Sequence, residues 1–249
     1  MLMNVNELSR VWGLEPNGVL HVGAHLGEEA LEYEKHQWLP VTWIEAQPAL
    51  ATQLAQNLDP EWHNVINAAV WDEDDIPLKL NIASNSQSSS LFPFGTHKQD
   101  YPEVTFIKEI MIETRRLDSI FKDVDVPSFL NLDIQGAEGM AIKGLGEKLQ
   151  MVDAIYTEVN RKEVYLSCTT VDDLDEYLQI AGFKRVATRW IIGRGWGDAL
   201  YLRRAAYKIS LVQRAHNTLL ASLHVILQLS GLSRRALVLS VRSLTKKRT

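Results

Sequence analysis

The sequence predicts a Rossmann-like α/β fold: a mostly parallel seven-stranded sheet with helices on both faces, followed by a C-terminal helical tail. Three observations carry that reading. Short apolar, β-branched runs alternate with helix-length segments, the pattern of βαβ units. The first run ends in a glycine-bearing turn, Gly23 to Gly27, that opens a helix. At 249 residues, with 46% hydrophobic and 23% charged side chains, the chain suffices for one such domain with an ordinary core.

Taken in order, Val5 to Trp12 is a short amphipathic opening. Gly18 to Val22 reads as a buried strand, and a helix runs from Gly27 toward Gln37. Val41 to Ile44 is the second strand, Pro48 suits the first turn of a helix ending at Leu58, and Asn64 to Trp71 is the third strand. Leu78 to Ala83 alternates like an exposed strand and leads into the polar run Ser84-Asn85-Ser86-Gln87-Ser88-Ser89-Ser90, which reads equally as a solvated loop or a cover over a ligand. Thr105 to Arg115 alternates again, Leu117 to Phe121 is a helical turn, and Ser128 to Leu132 is the fourth core strand, ending at Asp133. Ala137 to Leu149 is helical with a break near Gly144 and Gly146. Val152 to Glu158, Phe183 to Thr188 and Asp198 to Leu202 complete the sheet, with a helix over Val171 to Ala181.

The net charge of -5 is unevenly placed. Ten of the 26 basic residues and none of the 31 acidic ones lie from Arg203 onward, which leaves a formal -15 on residues 1–202. The division predicts a body over 1–204 and a basic amphipathic tail over 205–249, with one helix from Ala205 to Leu229 and a second from Ser233 to Leu244. Polar residues interrupt the apolar stretch too often for a bilayer span. An anionic membrane surface, a protein partner or a second copy of the chain each suits such a tail; nucleic acid ranks last, because the acidic body repels it. The single cysteine, Cys168, excludes an internal disulfide, and the N-terminal residues lack the pattern of a secretory signal, so the expected compartment is the cytoplasm, peripheral to a membrane if the tail binds one.

Chemistry enters at the strand ends. A glycine turn between strand and helix lets backbone approach a ligand and presents unpaired N–H groups. Glu45, 22 positions beyond Gly23, stands where a carboxylate accepts both hydroxyls of an adenosine ribose. A pyrophosphate cofactor needs Gly-x-Gly-x-x-Gly, yet His25 holds the middle position and Glu28 and Glu29 follow. That acidic rim disfavours a dinucleotide, hence an NAD-dependent oxidoreductase, and favours S-adenosylmethionine, which carries an ammonium and a sulfonium and no phosphate. The sequence lacks a phosphate-binding Gly-x-x-x-x-Gly-Lys-Ser/Thr loop, a cysteine cluster for zinc and a Gly-x-Ser-x-Gly elbow.

His21-Val22-Gly23-Ala24-His25-Leu26-Gly27, Trp43-Ile44-Glu45-Ala46, Asn67-Ala68-Ala69-Val70, Ser88-Ser89-Ser90-Leu91, Arg116-Leu117-Asp118, Leu130-Asn131-Leu132-Asp133-Ile134-Gln135-Gly136-Ala137-Glu138 and Thr157-Glu158-Val159-Asn160 follow in order between Gly18 and Leu202. Together they resemble the FkbM family of S-adenosylmethionine-dependent methyltransferases. The resemblance implies a class I methyltransferase fold and an O-methyltransferase acting on a carbohydrate, glycan precursor or related metabolite. It implies a cofactor set of His21, Gly23, Ala24, His25, Gly27, Glu45, Ala46, Ala69 and Asp133. His21 and His25 depart from the Asp and Asn often found there, and their titration would tune cofactor binding near neutral pH.

Methyl transfer to a hydroxyl needs a positioned acceptor and a group to take its proton. Asp133, Glu158 and His97 are the catalytic candidates, and Ser89, Gln135 and Asn160 are candidate acceptor contacts. Asp133 and Glu158 would also hold a divalent cation, should one lower the acceptor's pKa. Glu138 reads as structural, and Trp196 as core. A non-catalytic module that uses its tail for assembly is the competing reading from another class.

Overall fold

A computed structural model describes residues 1–207 and 210–230; the second tail helix expected at Ser233 to Leu244 lies outside the described residues. The chain opens with α1 (Val5–Trp12), capped by the Asn4 side chain, which accepts the Glu7 N–H, and stopped by Gly13 at φ 66. The first half then alternates β1 (Val19–Val22), α2 (Ala30–Lys35), β2 (Val41–Glu45), α3 (Pro48–Asn57) and β3 (His63–Asn67). An insertion follows, with β4 (Ala69–Val70), β5 (Pro77–Ala83), α4 (His97–Asp100) and β6 (Phe106–Arg115). The second half comprises α5 (Leu117–Ile120), β7 (Phe129–Leu132), α6 (Glu138–Lys143), a 3-10 segment (Gly146–Met151), β8 (Ala154–Asn160), α7 (Val171–Ile180), β9 (Phe183–Trp190) and β10 (Trp196–Arg203), and α8 (Leu211–Ser230) closes it.

The seven-stranded sheet has the order β3-β2-β1-β7-β8-β10-β9. Only β10 runs antiparallel to its neighbours. Alternate residues feed two cores. Leu20, Leu130, Ile155 and Tyr201 face Leu117, Ile142, Leu174 and Leu178 on one side, while Val19, Phe129, Tyr156 and Leu200 face Leu8, Trp12, Tyr33 and Leu54 on the other. Such two-sided burial explains why these strands read as continuous apolar runs. The winding reverses between β1 and β7, and ligands in open α/β sheets bind beyond the carboxyl ends at such a switch point.

Three elements differ from expectation, the tail helix among them, since α8 begins at Leu211 and residues 205–207 precede it outside any helix. The third strand is two: the Asn67 amide turns back to donate to Glu45 O at 2.8 Å and Ala46 O at 3.2 Å, and the chain leaves the main sheet there. Ala69–Val70 instead joins a second, three-stranded sheet of order β4-β6-β5. Helix α2 is also shorter than Gly27 to Gln37, because residues 28–29 form a turn before Ala30.

Candidate active site

The β1 and β7 ends are in register, Val22 opposite Leu132, and the Asp133 N–H donates to Val22 O at 3.0 Å. Two loops therefore leave the sheet side by side. They open onto a cavity of about 530 Å³ whose wall includes Gly23, Ala24, His25, Glu45, Ala46, Ala69, Ser89, His97, Asp133, Gln135 and Glu158. Cofactor, catalytic and acceptor candidates from distant parts of the chain thus share one chamber.

On one side the turn after β1 is built for close approach. A Cβ on Gly23, which has φ +87, would lie 1.9 Å from the Asp133 carbonyl oxygen. The His25 N–H donates to Glu45 Oε2 and the Gln47 N–H to Glu45 Oε1, both at 2.8 Å, so this carboxylate is held by two backbone donors. Burial raises the Glu45 pKa, and those two bonds oppose the rise. His25 Nε2 lies 2.8 Å from Ser86 Oγ, and Gln47 Nε2 donates to Ser86 O at 3.3 Å. The serine run is thereby fastened to the glycine turn, and residues 85–91 all line the cavity. It is a cover and not a solvated linker.

Opposite, Gln135 occupies a left-handed conformation, φ 55, uncommon for a residue with a side chain. Its amide donates to Asp133 Oδ1, lies 3.5 Å from Glu158 Oε2, and accepts from the Tyr165 hydroxyl. Asp133 is exposed on the cavity wall. Desolvation by the surrounding protein raises its pKa, and the N-terminal ammonium and Gln135 counteract the rise. Burial followed by repulsion from Asp133, Glu138 and Asp198 pushes Glu158 well above the usual carboxylate range. Of the two, Asp133 is therefore the easier to ionise. His97 stacks on Phe94 at 4.3 Å and places Nε2 3.2 Å from Ser88 Oγ; burial lowers its pKa and favours the neutral ring.

Several expectations need correction. His21 reaches the cavity wall but is 3% exposed, stacks on Trp43 at 4.8 Å, and has Nδ1 3.3 Å from Tyr33 Oη and from the Asn131 amide. Burial pushes its pKa down to about 4, so it does not titrate near neutral pH. Gly27 does not line the cavity: a Cβ there would meet Leu54 Cδ1 at 2.6 Å, so this glycine serves packing against α3. Asn160 is fully buried, bridged to Thr170, and absent from the cavity wall. The Ser89 hydroxyl faces its own loop, donating to Ser86 O at 2.6 Å and accepting from the Ala83 N–H at 3.0 Å. Asp133 and Glu158 belong to no group of three or more His, Cys, Asp or Glu side chains suited to a metal among the described residues. Trp196, expected in the core, is half-buried and lines the cavity.

Other wall residues were not singled out from the sequence. Gln47 follows Glu45 by two positions, which is a usable signal. Tyr165 gives none, since only the fold of residues 161–170 brings it beside Gln135. Tyr156 and Asp198 meet because β10 pairs antiparallel with β8; the tyrosine hydroxyl donates to Asp198 Oδ2.

Glu138 is structural as expected. It accepts the Ile134 N–H at 3.0 Å and the Gly136 N–H at 3.1 Å, which shapes the turn that presents Gln135. Burial, reinforced by the Asp133 charge, pushes its pKa up to about 7 against those bonds. The folded chain thus holds a proton that the unfolded chain releases near the ordinary value. This contribution to stability is fully present below that ordinary value and is lost as pH rises through about 7. Glu138→Gln keeps the acceptor oxygen and removes the titration. The stability of wild type relative to this variant is expected to fall by about 1 to 3 kcal/mol between pH 5 and pH 7 in denaturant titrations; parallel pH profiles would refute it.

The cavity suits S-adenosylmethionine. The Gly23 cradle leaves no room for a side chain, Glu45 is oriented by two donors, and the wall includes Glu28, Glu29, Glu45, Asp133, Glu158 and Asp198 with no Lys or Arg. Glu45→Gln sets an amide against one of the two N–H donors and removes the charge, so the cofactor's Kd is expected to rise roughly 10- to 100-fold by calorimetry. An unchanged Kd would remove Glu45 from the cofactor site.

A family model described as Methyltransferase FkbM domain matches residues 21–185, well over half of the chain. A curated relative, 2-O-methyltransferase NoeI of Sinorhizobium fredii (strain NBRC 101917 / NGR234), is 38% identical over 80 residues, which cover 31% of this chain and 33% of that protein. The chain therefore matches about a third of that relative's length. Among solved structures, M. capricolum TrmK in complex with S-adenosyl-homocysteine superposes with TM-score 0.43 at 10% identity, covering 84% of this chain and 72% of the other. Magnesium protoporphyrin IX methyltransferase (ChlM) from Synechocystis PCC 6803 with bound SAM gives 0.42 at 11% identity, covering 78% and 72%.

Proposed function

The chain belongs to the FkbM methyltransferase family, and from that premise we propose that this S-adenosylmethionine-dependent enzyme methylates a hydroxyl of a carbohydrate, glycan precursor or related metabolite. When bound, the cofactor supplies a methyl group activated by a sulfonium. Gly23, Ala24, His25, Glu45, Ala46 and Gln47 would hold its methionine and ribose parts, and Ala69 its base. The acidic wall complements its positive charge.

The observation that carries the acceptor reading is the constellation of Asp133, Gln135, Glu158 and Tyr165. An attacking hydroxyl must lose a proton, and Asp133 is the ionisable carboxylate exposed to the cavity. Gln135 fixes its orientation from one side, while Glu158 lines the wall beside it and the Tyr165 hydroxyl oxygen, its proton given to Gln135 Oε1, offers an acceptor to an oxygen-rich molecule's hydroxyls. Tyr101, Tyr165 and Trp196 line the same region with flat apolar faces, which suit one face of a sugar ring. The relative's 2-O-methyltransferase name agrees with an oxygen acceptor. Neutral His97, behind Ser88, is placed to orient that serine or to relay the proton.

Incubation with isotopically labelled S-adenosylmethionine and a panel of neutral and charged oligosaccharides, read by mass spectrometry, tests the proposal. Label on a ring oxygen is the expected result. Label confined to nitrogen acceptors, or cofactor binding with no transfer to any glycan, would overturn it.

A further inference from the structure

Helix α8 fastens one face to the body and, among the described residues, leaves the other exposed. Inward, Arg189 Nη1 donates to Asn217 Oδ1 at 2.8 Å, the Asn217 amide to Val186 O at 3.3 Å and Gln228 Nε2 to Trp190 O at 2.9 Å, while Leu227 is buried. These contacts hold the helix against β9, with α1 alongside. Outward, Val212, Leu219 and Ile226 recur every seven residues, with Leu229 one turn on; they are 77%, 66%, 53% and 73% exposed. Ala215 and Ser222 stand between them, so the strip sets four large aliphatic side chains apart with small residues. A solvated face would carry polar side chains here.

We propose that this strip rests on an anionic lipid surface, with α8 lying in the plane of the interface. Among the described residues no helix is long and apolar enough to cross a membrane, so the strip has an interfacial and not a spanning geometry. Charge complementarity selects the occupant. From residue 205 to the end the chain has eight Lys and Arg and no Asp or Glu, whereas residues 1–204 carry a formal -13. Anionic headgroups attract the cations while acyl chains accept the aliphatic side chains. A second copy would bring a second +8 tail against the first. Nucleic acid would pair with the cations but leave Leu219 and Ile226 in water.

Docking also fixes orientation. The Ile192 N–H donates to Gln228 Oε1 at 2.6 Å, so the C-terminal part of α8 meets the β9–β10 turn, where Ile192 is 43% exposed. That turn leads into Trp196 on the cavity wall. The β9–β10 turn beside the site is therefore held close to the lipid surface, which suits an acceptor attached to or synthesised at a membrane.

Flotation of the full chain with phosphatidylcholine vesicles, with and without phosphatidylglycerol, provides the test. Wild type is expected to float only with the anionic vesicles and to be released by salt. The double variant Leu219→Glu, Ile226→Glu should bind them at least about tenfold more weakly with unchanged melting and cofactor affinity. Should that variant unfold, Lys246→Gln with Lys247→Gln and Arg248→Gln tests the charge component alone and should lower binding in the same assay. Wild type that stays with the soluble fraction, variants that float as well as wild type, or a dimer lost in the double variant while vesicle binding persists would each overturn the proposal. So would salt-sensitive binding to single-stranded RNA without binding to vesicles.

Discussion

Asp133→Asn lowers kcat by about 10²- to 10⁴-fold, the usual cost of removing a positioned general base. The variant keeps the side-chain shape and leaves an oxygen for the Gln135 amide, so the wall of the cavity survives. What it loses is the ionisable carboxylate. In wild type, activity should fall as pH drops through the Asp133 pKa, which desolvation holds above the usual aspartate range; the variant should lose that limb. Initial rates of S-adenosylhomocysteine release with the acceptor found in the glycan screen, measured across pH, check both statements. Turnover at the wild-type rate would remove Asp133 from proton transfer and leave His97 as the remaining candidate.

Gly23→Ala acts on the structure that makes the site possible. An alanine Cβ would lie 1.9 Å from Asp133 O and 2.7 Å from Asp133 C, and φ +87 disfavours any side chain. The ends of β1 and β7 would have to part, although the Asp133 N–H bond to Val22 O holds them together and the Gly23 N–H bond to Ile44 O ties the turn to β2. Strain and overpacking together are expected to cost about 2 to 5 kcal/mol, and displacement of the turn to weaken S-adenosylmethionine binding at least about 100-fold. Gly13→Ala is the control: its φ is +66 but nothing lies within 4 Å of the added carbon. If both substitutions lower the melting temperature equally and cofactor affinity persists in the Gly23 variant, close backbone approach is not what Gly23 provides.

The sheet was legible because each buried strand is an apolar run ended by a residue with another task. Val22 gives way to Gly23, Ile44 to Glu45 and Leu132 to Asp133, and those endings also exposed much of the site. What escaped depends on side chains from elsewhere. His21 stands in a familiar cofactor position, but Tyr33, Trp43 and Asn131 enclose it, and none signals that role in the sequence. Gly27 looks like a ligand-binding glycine until Leu54 is seen above it. Glu158 and Asn160 share one strand parity, yet the bridge from Thr170 covers the second. Asp198 reaches the cavity only because β10 runs backward between β8 and β9.

The small β4-β6-β5 sheet is anchored by backbone pairing, from Ala69 opposite Thr114 to Pro77 opposite Glu113, and carries the serine cover that His25 and Gln47 fasten at Ser86. Residues from the small sheet and from the glycine turn thus close over one chamber, so a change in residues 85–91 reaches the donor half of the reaction as directly as the acceptor half.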